Sequence, residues 1–500
     1  MALKRRRSKP APAKKSAPSF TRIDKHLPVE MRHWDGAQHD RDKQVQWCLA
    51  DGRHINTVLI DNLTTVQDRC LYESRVNPIV EGTIETHKSD VVGKDGPILQ
   101  IQTDDDAFND LAEKVWKEEF HDACDAAGKQ SIGDYLKQGI ESLWNVGSMF
   151  SQIVNDTDSE TLLQTKLHPI TARRLLTPYE KTGDPFHILG VERNKTGRPK
   201  RYWVSEETDD YRYGFPLSYK SIPVDARNAI CEFRIHQEGQ ALGFPWLSSS
   251  LQVLEDLRGY DQAVLDAAKT AAIMAVFAYS TGDMGAEPPE VSPSDPISFK
   301  SGAINYMPGQ YMPMMLNPTQ PAANHGEYRS ERQRELGRPV GMPLMQIRLD
   351  SSGHNYSSAR FDAQIYHRAN QSLQCWLERR VLDRMLGIVF AESMLMGLLP
   401  RRPIKSIAVQ WNWDQPPHVD PVKEAMAERI RLENRTLSPQ QACASHGADF
   451  EQLCKDWQRA NDTLKKHGLP EMLGAIPSDL ADLQAYLNPQ QANANQSQGA

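Results

Sequence analysis

Two short motifs place side chains at spacings used by metal and catalytic sites. His121 and Cys124 are separated by two residues, as paired zinc ligands often are. Asp104 to Asp106 form a run of carboxylates of the kind that a metal-dependent nuclease uses. No second ligand pair lies near His121, and the acidic run precedes a predicted helix, whose N-terminus favours negative charge. We therefore interpret the first motif as a chance spacing on a helix face and the second as an acidic turn before a helix, and we predict no metal site.

Ser357 and Arg360 could act as a nucleophile and a cation. Ser357 stands at the start of a predicted helix, however, where a hydroxyl accepts hydrogen bonds from unpaired backbone N–H groups, so we predict that it is the N-cap. Trp411 and Trp413 could stack on bases. Alternate residues of a strand share one face, which more often indicates a core position.

Signatures of the large enzyme classes are missing from the sequence. It contains no GxxxxGK[ST], no GxSxG and no HExxH. Val92-Gly-Lys-Asp and Ala127-Gly-Lys-Gln hold only fragments of a phosphate-binding loop. The sequence therefore predicts a protein that is not an enzyme, needs no cofactor and does not hydrolyse ATP.

A polar segment, 344–356, joins two predicted helices and is our candidate for nucleic-acid contact. We expect Arg348 and His354 to touch phosphates weakly and without sequence preference. The alternative is a loop that only packs between subunits. The candidate residues are Gln346, Arg348, Asp350, His354 and Asn355.

The chain has 500 residues, a net charge of −7 and 25% charged residues. This balance gives no overall basic footprint for nucleic acid. DNA is not excluded, because a protein that lets DNA slide should not bind phosphates tightly. The seven cysteines form no CxxC and fit reduced thiols. The basic segment 1–15 has no apolar run after it, so no signal peptide is predicted.

The stretch 247–281 is the longest predicted helix, because leucines recur there at three- and four-residue steps without a proline. Its second half is rich in alanine, and its uncharged run is too short to span a bilayer. It fits either one core helix or a helix packed against copies of itself in a ring. The predicted packing positions are Ala267, Ala271, Ala275 and Ala278.

The other segments predict an α+β, predominantly helical fold. Helices are expected on both sides of a small β region that runs from Met149 to His236. A Pro/Gly-rich module occupies 282–325, and long helices follow it from Tyr328 to Leu336 and from Ser357 to Leu386. C-terminal helices end near His467, and both termini are predicted to be disordered.

Four passages, in this order, resemble the lambda-type portal proteins of tailed bacteriophages. They are Gln237-Glu-Gly-Gln-Ala-Leu-Gly-Phe-Pro-Trp246, Met307-Pro-Gly-Gln310, Gly337-Arg-Pro-Val-Gly-Met-Pro343 and Val419-Asp-Pro-Val-Lys-Glu424. The most specific string follows the third passage and consists of Asn355, Tyr356, Ser357, Ser358, Ala359 and Arg360. The resemblance covers roughly residues 70–470.

This resemblance implies a portal fold with wing, stem, clip, tunnel loop and crown around a DNA channel. Copies, commonly twelve, would form a ring at one capsid vertex in the virion, after synthesis in the bacterial host cytoplasm. The implied partners are double-stranded DNA, the terminase large subunit, major capsid and scaffolding proteins, and head-completion or adaptor proteins, with no membrane. The implied parts are a basic arm (1–20), wing (21–246), stem helix (247–281), clip (282–325), second stem helix (326–343), tunnel loop (344–356), long helix returning to the wing (357–415), crown (416–488) and tail (489–500).

Two other functions remain open at this point. A DNA-processing nuclease would need a clear acidic metal cluster, and a non-viral scaffold would assemble without capsid or DNA. The mass of the purified protein distinguishes them, since a ring of about twelve copies favours the portal. A monomer that cleaves DNA with divalent ions favours the nuclease.

Overall fold

The computed structural model describes residues 52–158, 161–206, 220–273, 277–278, 305–306, 325–353, 355–414, 421–445 and 450–467. The chain divides into a unit Met1–His54 and a unit Ile55–Ala500. Only residues 52–54 of the first unit are described, and all elements below belong to the second.

Helices make up most of the described chain. Two π-helical segments, Lys117–His121 and Glu378–Leu382, directly follow the α-helices that end at Trp116 and Leu377. The helices are α1 (Ile55–Val76), α2 (Pro78–Val92), α3 (Asp106–Trp116), α4 (Ile132–Asn145), α5 (Leu251–Ile273), α6 (His325–Gly337), α7 (Leu344–Arg348), α8 (Tyr356–Leu377), α9 (Asp383–Met396), α10 (Pro421–Glu433), α11 (Pro439–Ser445) and α12 (Phe450–Lys466).

Short strands form small sheets between the helices. The strands are β1 (Ile98–Ile101), β2 (Ser148–Asn155), β3 (Thr165–Pro169), β4 (His187–Ile188), β5 (Val191–Arg193), β6 (Pro199–Ser205), β7 (Ser221–Asp225), β8 (Ala229–Phe233), β9 (Phe277–Ala278), β10 (Asn305–Tyr306) and β11 (Val409–Asn412). One antiparallel sheet has the order β3-β2-β8, and another has the order β4-β5-β6-β7. In addition, β1 pairs antiparallel with β11, and β9 pairs parallel with β10.

Local sequence explains where several helices begin. Ser131 caps α4 through a capping box in which its hydroxyl accepts from the Asp134 N–H and Asp134 accepts in return. Asn77 caps α2, with Pro78 at its first position, where the missing N–H costs nothing. Gly93 ends α2 with φ +74°, a conformation that favours glycine.

Two hydrophobic clusters stabilise the fold. The larger packs α2, α3, α4, α8 and α9 around aromatic side chains such as Trp116, Tyr135 and Trp144, each at most 1% exposed. The smaller lies between the two larger sheets and includes Phe150 and Tyr202, whose ring centroids are 5.3 Å apart. The strands do not simply alternate between buried and exposed residues, because the four residues from Ser148 to Ser151 at the start of β2 are all buried.

Most predicted helices and strands are confirmed, and two positions differ. The predicted helix 247–281 is wrong at both ends: 246–250 is a 3₁₀ turn, α5 ends at Ile273, and Phe277–Ala278 is a strand. The β-branched and aromatic residues after the alanine run favour an extended chain. The predicted loop 344–356 is wrong at its start, because α7 occupies Leu344–Arg348. The helix predicted from Ser357 to Leu386 or beyond is confirmed, because the helical segments run from Tyr356 to Met396.

Candidate channel segment and its supporting helices

The helix pair α5–α6 supports the candidate segment, which follows α6 directly. The carboxylate of Asp261 on α5 contacts two side chains near the start of α6. Its Oδ1 lies 3.0 Å from Nε2 of His325, and its Oδ2 lies 3.7 Å from Nε of Arg329. All three side chains are partly exposed, so these ion pairs contribute modestly to stability and mainly fix the register of the two helices.

Aromatic packing strengthens the same junction. The ring of Tyr260 stacks on His325 with centroids 5.6 Å apart and packs against Tyr328 at 4.6 Å. Such pairs contribute about 0.5–1.5 kcal/mol beyond the area they bury. Sequence reasoning missed this junction, because its residues are 64 positions apart and no local pattern connects them.

The α5 helix is also attached to α1. The guanidinium of Arg258 donates to the buried carboxylate of Glu73 and lies 5.7 Å from the ring of Tyr72. Leu254 and Leu257 are buried against the rest of the fold. The first half of α5 is therefore anchored, and its position follows that of α1.

The second half of α5 leaves small and apolar side chains uncovered within one chain. Leu265 is 50% exposed, Ala263 and Ala268 are exposed, and Ala267 is half-buried. Of the other predicted packing positions, Ala271 lies in α5, Ala275 lies outside the described residues, and Ala278 lies in β9 rather than in a helix. The side-chain surroundings of Ala271 and Ala278 are also outside the described part.

A close backbone approach sets the angle between α6 and α7. A Cβ added at Gly337 would stand 2.4 Å from the carbonyl oxygen of Met342 and 2.5 Å from Cδ1 of Ile347. Ile347 is buried, and Met342 donates its backbone N–H to the Gly337 carbonyl at 2.9 Å. Glycine at this position lets α7 fold back against the end of α6.

The candidate segment is therefore a short helix followed by an exposed turn. Nη1 of Arg348 donates to the Ser330 hydroxyl at 2.8 Å, which directs this exposed side chain back along α6. Oε1 of Gln346 is buried and has no hydrogen-bond partner among the described residues. Asp350 accepts from the Ser352 N–H at 3.0 Å, whereas His354 lies outside the described residues.

The string that follows begins α8. Oδ1 of Asn355 accepts from the Ser358 N–H at 2.9 Å and from the Ser357 hydroxyl at 2.8 Å. The predicted cap at Ser357 is therefore wrong, and Asn355 is the N-cap, because its carboxamide oxygen reaches the third helical N–H. Ala359 is half-buried and Arg360 is exposed, while the side-chain surroundings of Tyr356 are not described.

The motifs that could have formed other sites have structural partners. Asp105 caps α3 by accepting from the Phe108 N–H at 3.2 Å, and Nδ1 of His121 lies 2.8 Å from Asp122. Cys124 is buried, and burial raises the pKa of its thiol well above the ordinary value. Across the described ranges, no cluster of three or more His, Cys, Asp or Glu side chains could hold a metal ion.

Both tryptophans near the last strand lie in the core, as the sequence predicted. Trp411 is 9% exposed and donates its indole N–H to Asp383 at 2.9 Å. Trp413 is 5% exposed and donates to Glu378 at 2.6 Å. Among the helices that the structure describes, none is both long and apolar enough to cross a membrane.

The sequence is similar to a known protein family and to two characterised relatives. Residues 41–374 match the family described as phage portal protein, lambda family. The chain is 21% identical over 467 residues to portal protein B of Escherichia phage lambda, covering 82% of this chain and 86% of the relative. It is likewise 21% identical over 447 residues to the portal protein of Escherichia phage N15, covering 79% and 83% respectively.

Solved structures were compared as well. A chain from the neck of a native gene transfer agent particle, computed with C12 symmetry, has a TM-score of 0.37 and 16% identity, covering 74% of this chain and 91% of that chain. A HK97-family phage portal protein from Corynebacterium diphtheriae has a TM-score of 0.31 and 12% identity, covering 72% and 97%.

Proposed function

Because the chain belongs to the lambda family of phage portal proteins, we propose that identical copies close into a ring at one capsid vertex and that double-stranded DNA passes through it during packaging and ejection. Portal proteins are structural components of the virion. The observation that carries the proposal is the family match over residues 41–374. The 86% coverage of the lambda relative supports extending it to most of the chain.

The uncovered half of α5 supports ring formation. Leu265, Ala263 and Ala268 are exposed in the single chain, and small side chains let neighbouring helices approach closely. A neighbouring copy packed against this face would bury them. Contacts between different faces of identical copies form a ring when the rotation closes.

The segment after α6 is the proposed DNA-facing part of each subunit. Arg348 is exposed at the end of α7, and an arginine has five N–H donors, so its bond to Ser330 leaves donors for a phosphate. His354 is the second proposed phosphate contact, and Gln346, Asp350 and Asn355 are the other proposed channel residues of this segment. A few exposed contacts per subunit, in a chain of net charge −7, would hold DNA weakly and let it move.

The remaining parts follow the family plan in this proposal. Residues 21–246 form the wing, 247–281 and 326–343 the stem, 282–325 the clip, 344–356 the tunnel loop, 357–415 the long helix that returns to the wing, and 416–488 the crown. The clip would bind the terminase large subunit during packaging and head-completion or adaptor proteins afterwards. The ring would nucleate assembly of the major capsid and scaffolding proteins in the host cytoplasm.

The mass and the axial image of the purified protein test this proposal. Native mass spectrometry is expected to find a closed ring of about twelve copies, and electron micrographs along its axis are expected to show a central hole. A subunit that stays monomeric under every assembly condition tried would contradict the proposal. Divalent-dependent cleavage of DNA by that monomer would favour a nuclease instead.

A further inference from the structure

A large cationic cleft lies between the β region and the junction of α8 with α9. Its volume is about 1480 Å³, and its walls come from β6, β8, the 226–227 turn and residues 369–384. Small-molecule pockets usually measure about 300–1,000 Å³, so this cleft suits a segment of polypeptide better. Seven cationic side chains and only two carboxylates line it.

Neutral partners hold part of this positive charge in place. Arg193, Arg234 and Arg384 each donate to backbone carbonyl groups, at 3.2 Å for Arg234 and 2.7 Å for the shortest of the Arg384 bonds. A carbonyl positions a guanidinium without cancelling its charge. The cleft therefore presents fixed positive charge that an acidic ligand can use without reordering the side chains.

The other cations stand at the rim. Arg198, Lys200 and Arg227 are exposed, and Arg380 approaches Glu232 at 4.0 Å. Burial raises the pKa of Glu232 to about 7, against the lowering influence of Arg380 and Arg384, so this carboxyl is only partly ionised near neutral pH. Nζ of Lys200 lies 3.6 Å from Glu192, which offsets part of its charge, and the arginines keep the rim positive overall.

An apolar wall accompanies the charge. Trp246, Leu373 and Trp376 line the cleft, and the guanidinium of Arg234 lies 4.7 Å from the ring of Trp246. One wall is β8, which is the edge strand of its sheet. An extended segment that carries both carboxylates and aromatic rings would match this surface.

The sequence contains such a segment between β6 and β7. Residues 206–210 read Glu-Glu-Thr-Asp-Asp and are followed by Tyr211-Arg-Tyr-Gly-Phe215. Four of the first five residues are acidic, and three aromatic residues follow. Residues 207–219 lie outside the described part of the chain.

Strand register shows at which end of the β6–β7 hairpin this segment begins. Ser205 pairs with Ser221 at the end of the β6–β7 hairpin where the segment begins, whereas Arg201 pairs with Asp225 at the end that borders the cleft. Lys200 and Ser205 are five residues apart, or about 17 Å along a strand. The acidic segment thus begins at the end of the hairpin remote from its own cleft.

We propose that the 206–215 segment of one copy docks into the cationic cleft of the next copy around the ring. The inference rests on the ring of the proposed function and adds the contact that orders adjacent copies. Opposite charges on two different faces make the contact heterologous, which is the arrangement a ring needs. The same attraction would bring the copies together in the correct order during assembly.

Two charge-reversed variants test the contact. The cleft variant carries Arg198→Glu, Lys200→Glu and Arg227→Glu, and the segment variant carries Glu207→Lys, Asp209→Lys and Asp210→Lys. Each alone is expected to need at least tenfold more protein for half-assembly, measured by native mass spectrometry and sedimentation. The matched control, Lys117→Glu, Lys129→Glu and Lys405→Glu, reverses three exposed lysines outside the cleft and is expected to assemble normally.

Mixing the two variants is the decisive step. Each cleft that keeps its positive charge then meets a segment that keeps its negative charge, and each reversed cleft meets a reversed segment. The mixture is expected to form rings of alternating copies at the wild-type concentration. Circular dichroism of each variant alone confirms that it is folded.

Several outcomes would overturn the inference. A chain carrying both sets of changes that assembles normally, while the mixture does not, would place the segment in its own cleft. An impaired cleft variant beside a normal segment variant would point to another acidic ligand. Normal rings from both variants would leave the proposed function intact and remove this contact, whereas wild-type protein that forms no ring would remove both.

Discussion

Asp261 and His325 join α5 to the first turn of α6, with Oδ1 and Nε2 3.0 Å apart. Arg329, one turn further along α6, lies 3.7 Å from the other carboxylate oxygen. One side chain on α5 thus fixes two successive turns of the helix that leads into the candidate channel segment.

Replacing Asp261 by asparagine is expected to loosen α6 without unfolding the chain. Asparagine keeps the shape of the side chain and one acceptor oxygen but removes the negative charge that faces His325 and Arg329. For partly exposed ion pairs, this lowers the free energy of unfolding by about 0.5–1 kcal/mol. Hydrogen exchange of the α6 amides should accelerate by a few-fold. Asp266→Asn is the control, because Asp266 lies on the same helix and interacts with Gln262 and Lys269 there; equal acceleration in both would refute the role of Asp261.

Glu232 is expected to make the fold less stable as pH rises. Burial raises the pKa of its carboxyl to about 7 in the folded chain, against an ordinary value of 4.5. The folded state therefore binds more protons between these values, and the free energy of unfolding falls across that window by up to about 3 kcal/mol. Glu232→Gln should flatten the dependence in urea titrations at pH 5 and pH 8. The exposed Glu180→Gln should keep it, and an unchanged slope in Glu232→Gln would contradict the assignment.

His87 is expected to act in the opposite direction. Burial, assisted by the charge of Arg234, lowers the pKa of its imidazole to about 3, and the neutral ring lies 2.9 Å from the indole N–H of Trp144. The unfolded chain takes up a proton below about pH 6.5, so the free energy of unfolding falls as pH falls from 6.5 towards 3. His87→Gln keeps an acceptor for Trp144 and should weaken this acid dependence. The exposed His168→Gln should leave it unchanged; if both behave alike, His87 is not the titrating group.

Secondary structure was predictable wherever the signal is local. The capping box of Ser131 and Asp134 and the helix of 14 residues that follows come from contiguous residues. The cap of α8 was predicted two residues too late, because Asn355 and Ser357 are both good capping residues and only geometry distinguishes them. Helix α7 was missed because five residues are too short to show a helical period.

Tertiary relationships were not predictable in the same way. Asp261 and His325 are separated by 64 residues, and the contact depends on how two helices cross. The cationic cleft combines β8 with the α8–α9 junction, more than 130 residues further along the chain. The family strings identified the fold as a whole, whereas these contacts are visible only once the elements have packed.

Gly337→Ala is expected to displace the candidate channel segment. The added Cβ would approach the Met342 carbonyl to 2.4 Å, and overpacking of this kind costs about 1–3 kcal/mol. Limited proteolysis should therefore cut the 349–353 turn faster than in the wild type. Gly326→Ala is a matched control in the first turn of α6, where a Cβ meets nothing within 4 Å and should slightly favour the helix. Equal cleavage of wild type and Gly337→Ala would show that the turn accommodates the methyl group.

Two roles of Arg348 in DNA movement, phosphate contact and positioning of α7, can be distinguished by comparing variants of Arg348 and of its hydrogen-bond partner Ser330. If its guanidinium contacts phosphates, Arg348→Ala should reduce the DNA filling of particles, and Ser330→Ala should not, because the freed side chain still carries its charge. If Arg348 only positions α7 against α6, the two variants should behave alike, since each removes the same 2.8 Å hydrogen bond. Packaging assays that measure DNA length per particle distinguish these cases, and His354→Ala extends the test to the other residue predicted to touch phosphates. Normal DNA filling in both Arg348→Ala and His354→Ala would contradict the proposal that this segment contacts phosphates. Arg348→Ala removes one positive charge from every subunit of the ring, so an absence of effect would show that this charge is not used.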